Sequence, residues 1–262
     1  MALALTGITG CARREAQPPQ PPPPPPNILF ISVDTLRRDH LGCYGYGPDT
    51  SPNIDALARD GTVFDNAISS SSWTLPAHAS MLTGLYPAFH GLQDDGVKLG
   101  PQVVTLAESL QAAGYHTIGV VSHVYVSSAF GLDRGFDTLD ESLIADGATN
   151  PVAEQVVDRF LELRSQAPPG KKVFAFVHFF DPHWDYSPPP PYDTRFVDPA
   201  YAGPVDGTIG SLLKFYGSDV RMPEADRRQA IALYDGEIAY LDAQIGRLFD
   251  ALRAAGQFEE TV

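Results

Sequence analysis

The sequence predicts an α/β fold, a three-layer α/β/α sandwich around a mostly parallel central sheet. Two observations support this class. The runs at 28–33 and 172–178 are almost continuously apolar, as expected of strands that are covered on both faces. Amphipathic stretches with helix boundary signals separate the apolar runs along the chain. This alternation of strand and helix is typical of βαβ units, whose strands pair in parallel.

Local signals predict the individual elements. Ser51-Pro52 supplies an N-cap and a first-turn proline for a helix that continues to about Arg59 and is closed by Gly61. Residues 186–217 are rich in Pro, Gly, Asp and Tyr and predict a long irregular loop beside a substrate opening. The same kinds of signal predict further helices over 105–113, 151–165 and 223–255 and further strands over 62–67 and 116–122.

Composition excludes several classes of protein. The formal net charge is −14, from 32 acidic and 18 basic residues, and no Lys/Arg-rich run occurs. Binding to nucleic acid is therefore not expected. An anionic substrate would be repelled at long range, so its attraction would need a local cation or oriented dipoles. Two cysteines are too few for a disulfide scaffold or a multi-cysteine zinc site.

The N-terminal residues are expected to lie outside the fold. Residues 1–11 are small and apolar and end in Thr9-Gly10-Cys11, which is similar to a bacterial lipoprotein signal with Cys11 as the lipidated residue. Residues 12–26 form a proline-rich linker, which favours an extended chain. We therefore expect a lipid anchor in the bacterial cell envelope that holds the domain at 27–262 facing the periplasm. The alternative is a disordered apolar tail.

Two polar residues stand where an α/β sheet binds ligands. Asp34 follows the first strand, and the carboxyl ends of parallel strands are where ligands gather. A carboxylate there either ligates a metal or forms a turn. Thr74 lies at the start of a helical stretch that ends at Gly84. Its hydroxyl either lies at an anion-binding helix N-terminus or serves as an N-cap.

An ordered set of segments resolves both choices. The segments are Val33 to Arg37, Tyr44 to Tyr46, Ser51 to Ala58, Phe64 to Ala67, Leu82 to Pro87, His90-Gly91, 105–110, 113–115, 135–137 and 178–183. In their order and spacing the chain resembles the sulfatase family of the alkaline phosphatase superfamily, from Asn27 to its last residue. The resemblance implies an alkaline-phosphatase-like fold and hydrolysis of sulfuric or phosphoric esters. It implies that Asp34 binds a divalent cation and that Thr74 contacts this cation and attacks sulfur or phosphorus. It also implies that His183 faces the substrate anion. The expected cation is calcium, with zinc, manganese or magnesium as alternatives.

Departures from the family pattern affect the mechanism. Sulfatases carry Cys or Ser at position 74, which becomes formylglycine, and threonine cannot undergo this conversion. They carry an arginine where this chain has His78, and a second aspartate where it has Thr35. The segment from Thr74 to His78 instead resembles the Thr-x-Pro-x-His element of nucleotide pyrophosphatase/phosphodiesterases, which makes His78 a catalytic candidate.

Substrate contacts are predicted in the segment after this helix. Phosphodiesterases of that group place an asparagine on the phosphoryl oxygen where this chain has Asp95, and Lys98 is a nearby candidate cation. The alternative for Lys98 is an ordinary surface lysine.

The sequence therefore predicts a metal-dependent hydrolase that acts on a small-molecule or glycan ester. One alternative is a phosphodiesterase or phosphomonoesterase of the same superfamily, and another is an inactive, surface-anchored binding module. The family's second ligand cluster, an Asp-His-Gly element expected after the helix at 223–255, does not occur in this sequence. We therefore expect the N-terminal part of such an enzyme, with its C-terminal part missing and with weak or no activity.

Overall fold

A four-stranded parallel sheet with helices on both faces forms the fold in this computed structural model, which describes residues 24–145, 153–215 and 220–262. The strands are β1 Ile28–Val33, β2 His116–Val120, β3 Thr138–Asp140 and β4 Val173–Phe179. The helices are α1 Pro52–Asp60, α2 Thr74–Thr83, α3 Pro87–His90, α4 Leu106–Ala112, α5 Ser142–Ala145, α6 Ala153–Ser165, α7 Ile209–Leu213 and α8 Glu224–Ala254. The predicted α/β class with a parallel sheet is confirmed.

Strand β4 lies inside the sheet and is buried along its whole length. The strand order is β1-β4-β2-β3, and every pair is parallel. Val173, Ala175 and Val177 pack in one apolar cluster with α6 and α8, whereas Phe174 and Phe176 pack in a second cluster with α2. Successive residues of a strand point to opposite faces, so β4 contributes to both clusters. The result is the predicted arrangement of three layers.

The carboxyl ends of the parallel strands meet at one edge of the sheet. Asp34 follows β1, and its backbone N–H donates to the carbonyl of Phe179 at 2.9 Å, which extends the β1–β4 pairing by one residue. Ser122 lies just after β2, and its hydroxyl donates to the carbonyl of His178 at 2.8 Å. Polar side chains from neighbouring strands are thereby brought together at this edge.

One prediction about strands was wrong, and one strand was not predicted. Residues 62–67 form no strand, and Phe64 is 69% exposed, because this segment pairs with no strand among the described residues. The carbonyl of Phe64 instead accepts a hydrogen bond from the Tyr44 hydroxyl at 3.1 Å. Strand β3 was not predicted, since three residues are too few to show a period.

The helix predictions agree closely with the structure. Helix α4 begins after Thr105, whose side chain forms a capping box with Glu108. The predicted irregular loop at 186–217 contains one short helix, α7, within its described residues 186–215. The predicted signal at 1–11, Cys11, the linker up to residue 23 and the predicted helix start at 151–152 lie outside the described residues. None of the helices described is both long and apolar enough to traverse a lipid bilayer.

Candidate active site

A cleft of about 450 Å³ lies at the carboxyl edge of the sheet, between the end of β1 and the start of α2. Its lining includes Asp34, Thr74, His78 and His183. None of the described residues that line it is a lysine or an arginine. An anion in this cleft would therefore depend on backbone N–H groups, on histidine or on a bound cation.

Thr74 is the first residue of α2. Its Oγ1 donates a hydrogen bond of 2.9 Å to Oδ2 of Asp34. Pro76 has no N–H, and the N–H groups of Thr74 and Leu75 make no hydrogen bond to any described residue. Free N–H groups at a helix N-terminus, together with the positive end of its dipole, favour an anion. The hydroxyl of Thr74 thus lies where a tetrahedral anion would be held.

Asp34 is ionised at neutral pH although it is only 7% exposed. Burial raises the pKa of its carboxyl, but the His178 and His78 imidazoles, in their protonated forms, and the Thr74 hydroxyl outweigh this effect and bring the pKa to about 2. The carboxylate is therefore available as an acceptor from Thr74 and as a possible cation ligand.

His78 belongs to an internal hydrogen-bond network beneath the cleft. It is 3% exposed, its Nδ1 donates to the carbonyl of Thr74 at 2.8 Å, and its Nε2 accepts from the hydroxyl of Ser32 at 2.8 Å. Burial lowers the pKa of this imidazole to about 4, so it is neutral at pH 7. Because both ring nitrogens are occupied, these contacts fix the first turn of α2 against β1.

His178 packs against His78 and Asp34 and was not predicted as a site residue. Its ring is perpendicular to that of His78, with centroids 4.9 Å apart. Its Nε2 is buried without a hydrogen-bond partner and lies 3.8 Å from Oδ2 of Asp34, too far for a hydrogen bond. Ser32 and His178 are register partners on β1 and β4. A polar residue near the end of an otherwise apolar strand was the available sequence signal.

A stack of three rings lies beside the site, and one of them, His183, lines the cleft. Phe180 packs against His183 at a centroid distance of 4.2 Å and against His123 at 4.4 Å. His183 lines the cleft, and its Nδ1 donates to the carbonyl of Trp184 at 3.2 Å. Burial lowers the pKa of His123, which was not singled out in the sequence because its segment shows no site motif.

The turn after Asp34 is held by α8. Thr35 has a φ of 53°, a left-handed conformation that threonine rarely adopts. The Tyr234 hydroxyl donates to the carbonyl of Thr35 at 2.8 Å and accepts from the N–H of Arg37 at 2.9 Å. One side chain thus satisfies both backbone groups around the strained residue.

Comparison with known proteins assigns the family. The sulfatase family matches residues 26–262, nearly the whole domain described above. This chain belongs to the sulfatase family. It is 26% identical over 222 residues to an N-acetylglucosamine-6-O-sulfatase of Bacteroides thetaiotaomicron, covering 76% of this chain and 38% of the relative.

Two further comparisons each cover 90% of this family member. It is 27% identical over 299 residues to an arylsulfatase of Clostridium perfringens, covering 90% of this chain and 61% of the relative. The crystal structure of a phosphonate monoester hydrolase of Agrobacterium radiobacter superposes with a TM-score of 0.69 at 25% identity, covering 90% of this chain and 61% of that one. The chain therefore spans less than two thirds of the length of these relatives.

The structure of this family member brings four predicted site residues together and leaves two apart. Asp34, Thr74, His78 and His183 line one cleft. Asp95 and Lys98 are exposed and do not line it. Their assignment to substrate binding stays a prediction. Cys11, the predicted lipidation site, lies outside the described residues.

The cleft offers only part of a cation site. Within 24–145, 153–215 and 220–262, no group of three or more His, Cys, Asp or Glu side chains is arranged to hold a metal ion. Asp34 and Thr74 supply adjacent oxygen atoms, the ligand type that calcium and magnesium prefer. Sulfatases are generally metal-dependent, but two oxygens do not complete a coordination shell.

Proposed function

We propose that this chain carries the nucleophile of an enzyme that hydrolyses sulfuric or phosphoric esters, with Thr74 as the attacking residue. One observation carries the proposal: the hydroxyl of Thr74 lies at the N-terminus of α2 and donates to the ionised Asp34 at 2.9 Å inside a cleft. A nucleophile in this position lies beside the N–H groups that would hold the negative oxygens of the transition state.

The chain's own residues support a two-step reaction. Oγ1 of Thr74 would form a bond to sulfur or phosphorus and pass its proton along its hydrogen bond to Asp34, while the bond from sulfur or phosphorus to the ester oxygen breaks and the alcohol leaves. Water would then cleave the threonine ester and return the hydroxyl of Thr74. The N–H groups of Thr74 and Leu75 would hold the anionic oxygens. Nδ1 of His183 donates to the Trp184 carbonyl, so Nε2 carries a proton only in the imidazolium, and it is the imidazolium that would give this proton to the leaving alcohol.

Asp34 is proposed as one ligand of a divalent cation, calcium in the first place. A cation there would polarise the ester and lower the pKa of the Thr74 hydroxyl. The proposal is supported by the ionised state of Asp34 and by the absence of Lys and Arg from the described cleft lining. Positive charge for an anionic substrate has to come from another source in a chain of net charge −14.

Cleavage of phosphoric mono- or diesters is the second candidate function. It is favoured by Thr74 itself, since threonine cannot form formylglycine and must attack through its own hydroxyl. A second support is the similar solved structure with a TM-score of 0.69, since its name describes a hydrolase of phosphonate monoesters, which are esters of phosphorus. The substrate would be a small-molecule or glycan ester, as the sulfatase names of the curated relatives suggest.

Turnover of a panel of 4-nitrophenyl sulfate, phosphate, phenylphosphonate and bis-phosphate tests the nucleophile. Thr74→Val removes the hydroxyl at constant shape and should lower kcat/KM by roughly 10³-fold or more, whereas Thr74→Ser should stay within about tenfold of the unmodified chain. A profile restricted to phosphorus esters would favour the second candidate. Equal and measurable rates for the unmodified chain and Thr74→Val would contradict the proposed role of Thr74.

Titration with calcium, magnesium, manganese and zinc tests the cation and separates the enzyme from an inactive binding module. Binding to the folded state should raise the Tm of the unmodified chain. Asp34→Asn should abolish this rise, while Asp39→Asn, which changes an exposed carboxylate nearby, should retain it. If no cation raises the Tm, the proposed cation site is wrong and the binding module is the better interpretation.

A further inference from the structure

Met81 brings a thioether to the wall of the cleft that contains Thr74. It lies on α2, lines the same cleft as Thr74 and His78, and is 40% exposed. The other methionine among the described residues, Met222, is half-buried and does not line this cleft. A peroxide that enters the cleft therefore meets the sulfur of Met81 in the same space as the proposed nucleophile.

The sulfur of Met81 lies within reach of a hydroxyl that the site already uses. Its Sδ is 4.0 Å from Oγ of the buried Ser32. The same hydroxyl donates to Nε2 of His78 at 2.8 Å, and a hydroxyl has only one proton to donate. Because a thioether is a weak acceptor, the bond to the His78 imidazole prevails while Met81 is reduced.

His78 connects this hydroxyl to the first turn of α2. Its Nδ1 donates to the carbonyl of Thr74 at 2.8 Å, and the residue is only 3% exposed. In the same turn the N–H of Ala77 donates to the carbonyl of Trp73 at 3.2 Å. If Nε2 loses the Ser32 hydroxyl, a buried acceptor is left without a partner, which favours movement of the ring. A movement of this ring pulls on the carbonyl of the proposed nucleophile.

Oxidation would convert the sulfur of Met81 into a strong acceptor. A lone pair of the thioether attacks one oxygen of hydrogen peroxide, the O–O bond breaks, and the second oxygen leaves as water after taking up the proton of the first. Sulfur loses two electrons, the peroxide gains them, and the product is methionine sulfoxide. The added oxygen carries partial negative charge and, being bonded to Sδ, can come within hydrogen-bond distance of the Ser32 hydroxyl.

We propose that Met81 is a site of oxidation by hydroperoxides, and that its sulfoxide takes the Ser32 hydroxyl from His78 and releases the first turn of α2. The sulfoxide also places a negative oxygen in the cleft where an anionic ester has to bind, and the described lining contains no lysine or arginine to offset it. The effect on turnover rests on the proposed function, whereas the oxidation and the release of the turn do not.

Peptide mass spectrometry after treatment with hydrogen peroxide tests the site of oxidation. Samples of the full chain are quenched at successive times, and the sulfoxide content is measured at each methionine. Met81 should be oxidised at least about threefold faster than the half-buried Met222, because accessibility to the oxidant limits the rate. Oxidation of Met81 no faster than that of Met222 would refute the proposed site.

Hydrogen exchange at the Ala77 amide tests the consequence for α2. After peroxide treatment this amide should exchange at least about fivefold faster in the chain without substitutions. Met81→Leu, which nearly keeps the side-chain volume but has no sulfur, should show no change on the same treatment. Met222→Leu is the matched control and should respond like the chain without substitutions. Faster exchange that persists in Met81→Leu would show that another residue causes it and would overturn the inference.

Met81→Gln gives a second test that needs no oxidant. The amide oxygen of glutamine stands in for the sulfoxide oxygen as a strong acceptor near Ser32. The Ala77 amide of this variant should therefore exchange faster than that of the chain without substitutions before any peroxide is added. Equal exchange in the two proteins would contradict the competition for the Ser32 hydroxyl.

Turnover of 4-nitrophenyl esters separates this inference from the proposed catalysis. If both are correct, peroxide should lower the rate by about fivefold or more in the chain without substitutions and should not lower it in Met81→Leu. Faster exchange at Ala77 after oxidation of Met81, in a chain that hydrolyses none of the esters, would support the inference and contradict the catalytic role of Thr74. Turnover together with unchanged exchange after oxidation would support the proposed function and refute the inference.

Discussion

Tyr234 stabilises an unfavourable backbone conformation next to the site. Thr35, with a φ of 53°, lies between Asp34 and Arg37, and both backbone groups that flank it are bonded to the Tyr234 hydroxyl. A left-handed residue that is not glycine costs on the order of 1–3 kcal/mol and persists only where its surroundings enforce it. The position of the Asp34 carboxylate therefore depends on a hydroxyl that lies 200 residues further along the chain.

Tyr234→Phe should loosen this turn without unfolding the domain. We expect hydrogen exchange at the Arg37 amide to become at least about tenfold faster and the free energy of unfolding to fall by about 1 kcal/mol, because one hydroxyl with two backbone partners is lost. Tyr240→Phe is the control, since it removes a hydroxyl of the same helix that accepts from the N–H of Glu154 at 3.2 Å. The explanation fails if the Arg37 amide exchanges equally fast in both variants.

Sequence reasoning identified the residues that carry local signals at the site. Asp34 follows a clear strand and Thr74 begins a clear helix, so both could be placed at the same sheet edge before the structure was known. Ser32 and His178 become neighbours only through the β1–β4 register, which joins positions 146 residues apart. No local pattern encodes that pairing, and two polar residues inside apolar strands were absorbed into the strand prediction.

At the scale of elements, one buried carboxyl group, Asp181, follows β4 and another, Glu237, lies on α8. Burial raises the pKa of Asp181 to about 7. Burial and the nearby Asp181 raise the pKa of Glu237 to about 8. Glu237 Oε1 accepts from the N–H of Ser187 at 2.7 Å, which fixes the segment that follows His183. A change in the protonation of Glu237 therefore changes a hydrogen bond of the loop beside the site.

Stability should fall between pH 7 and pH 9. The folded state retains protons on Asp181 and Glu237 that the unfolded chain has already released, so raising the pH favours unfolding. The expected loss is about 1–2 kcal/mol in the free energy of unfolding, measured by denaturant titration at both pH values.

Two variants test the source of this pH dependence. Glu237→Gln keeps an oxygen for the N–H of Ser187 and should remove most of the loss. Asp250→Asn changes an exposed carboxylate on the same helix and should leave the loss unchanged. An equal loss in both variants would show that other groups cause it.

Elements with strong local signals were predicted well, whereas those defined by pairing were not. Helix α4 was placed within a residue from its amphipathic pattern, and its capping box of Thr105 and Glu108 shows that its start is also determined locally. The wrong strand at 62–67 has suitable side chains but no partner strand among the described residues, and partners decide whether an extended segment becomes a strand. Strand β3 shows the opposite: its three residues carry no strand pattern in the sequence, but they form a strand because they pair with β2.

For the whole molecule, the sequence predicted the class and layering of the fold because burial on two faces leaves a strong mark. Strand β4 is apolar throughout apart from His178, and a strand of this kind has to be covered by helices on both sides. The placement of the molecule in the cell is a separate matter. We propose a lipid anchor at Cys11 in the bacterial cell envelope, with the domain facing the periplasm.

Replacement of Cys11 tests this anchor. The full chain expressed in a bacterium should partition into the detergent phase, because a diacylated N-terminus is strongly apolar. Cys11→Ser should move it to the aqueous phase, while Cys43→Ser, at the one described cysteine, should not. Detergent partitioning of the Cys11→Ser variant equal to that of the unmodified chain would exclude lipidation at this position.

The ring stack of His123, Phe180 and His183 links two imidazoles from separate segments through one hydrocarbon side chain. Both faces of the phenyl ring are occupied, so its thickness determines how far apart the imidazoles stand. Neither histidine can slide or tilt alone without opening a gap against the ring. Exchange of Phe180 for a branched aliphatic residue would therefore displace both imidazoles together. Because His183 lines the cleft, this single substitution would change the shape of the opening above Thr74.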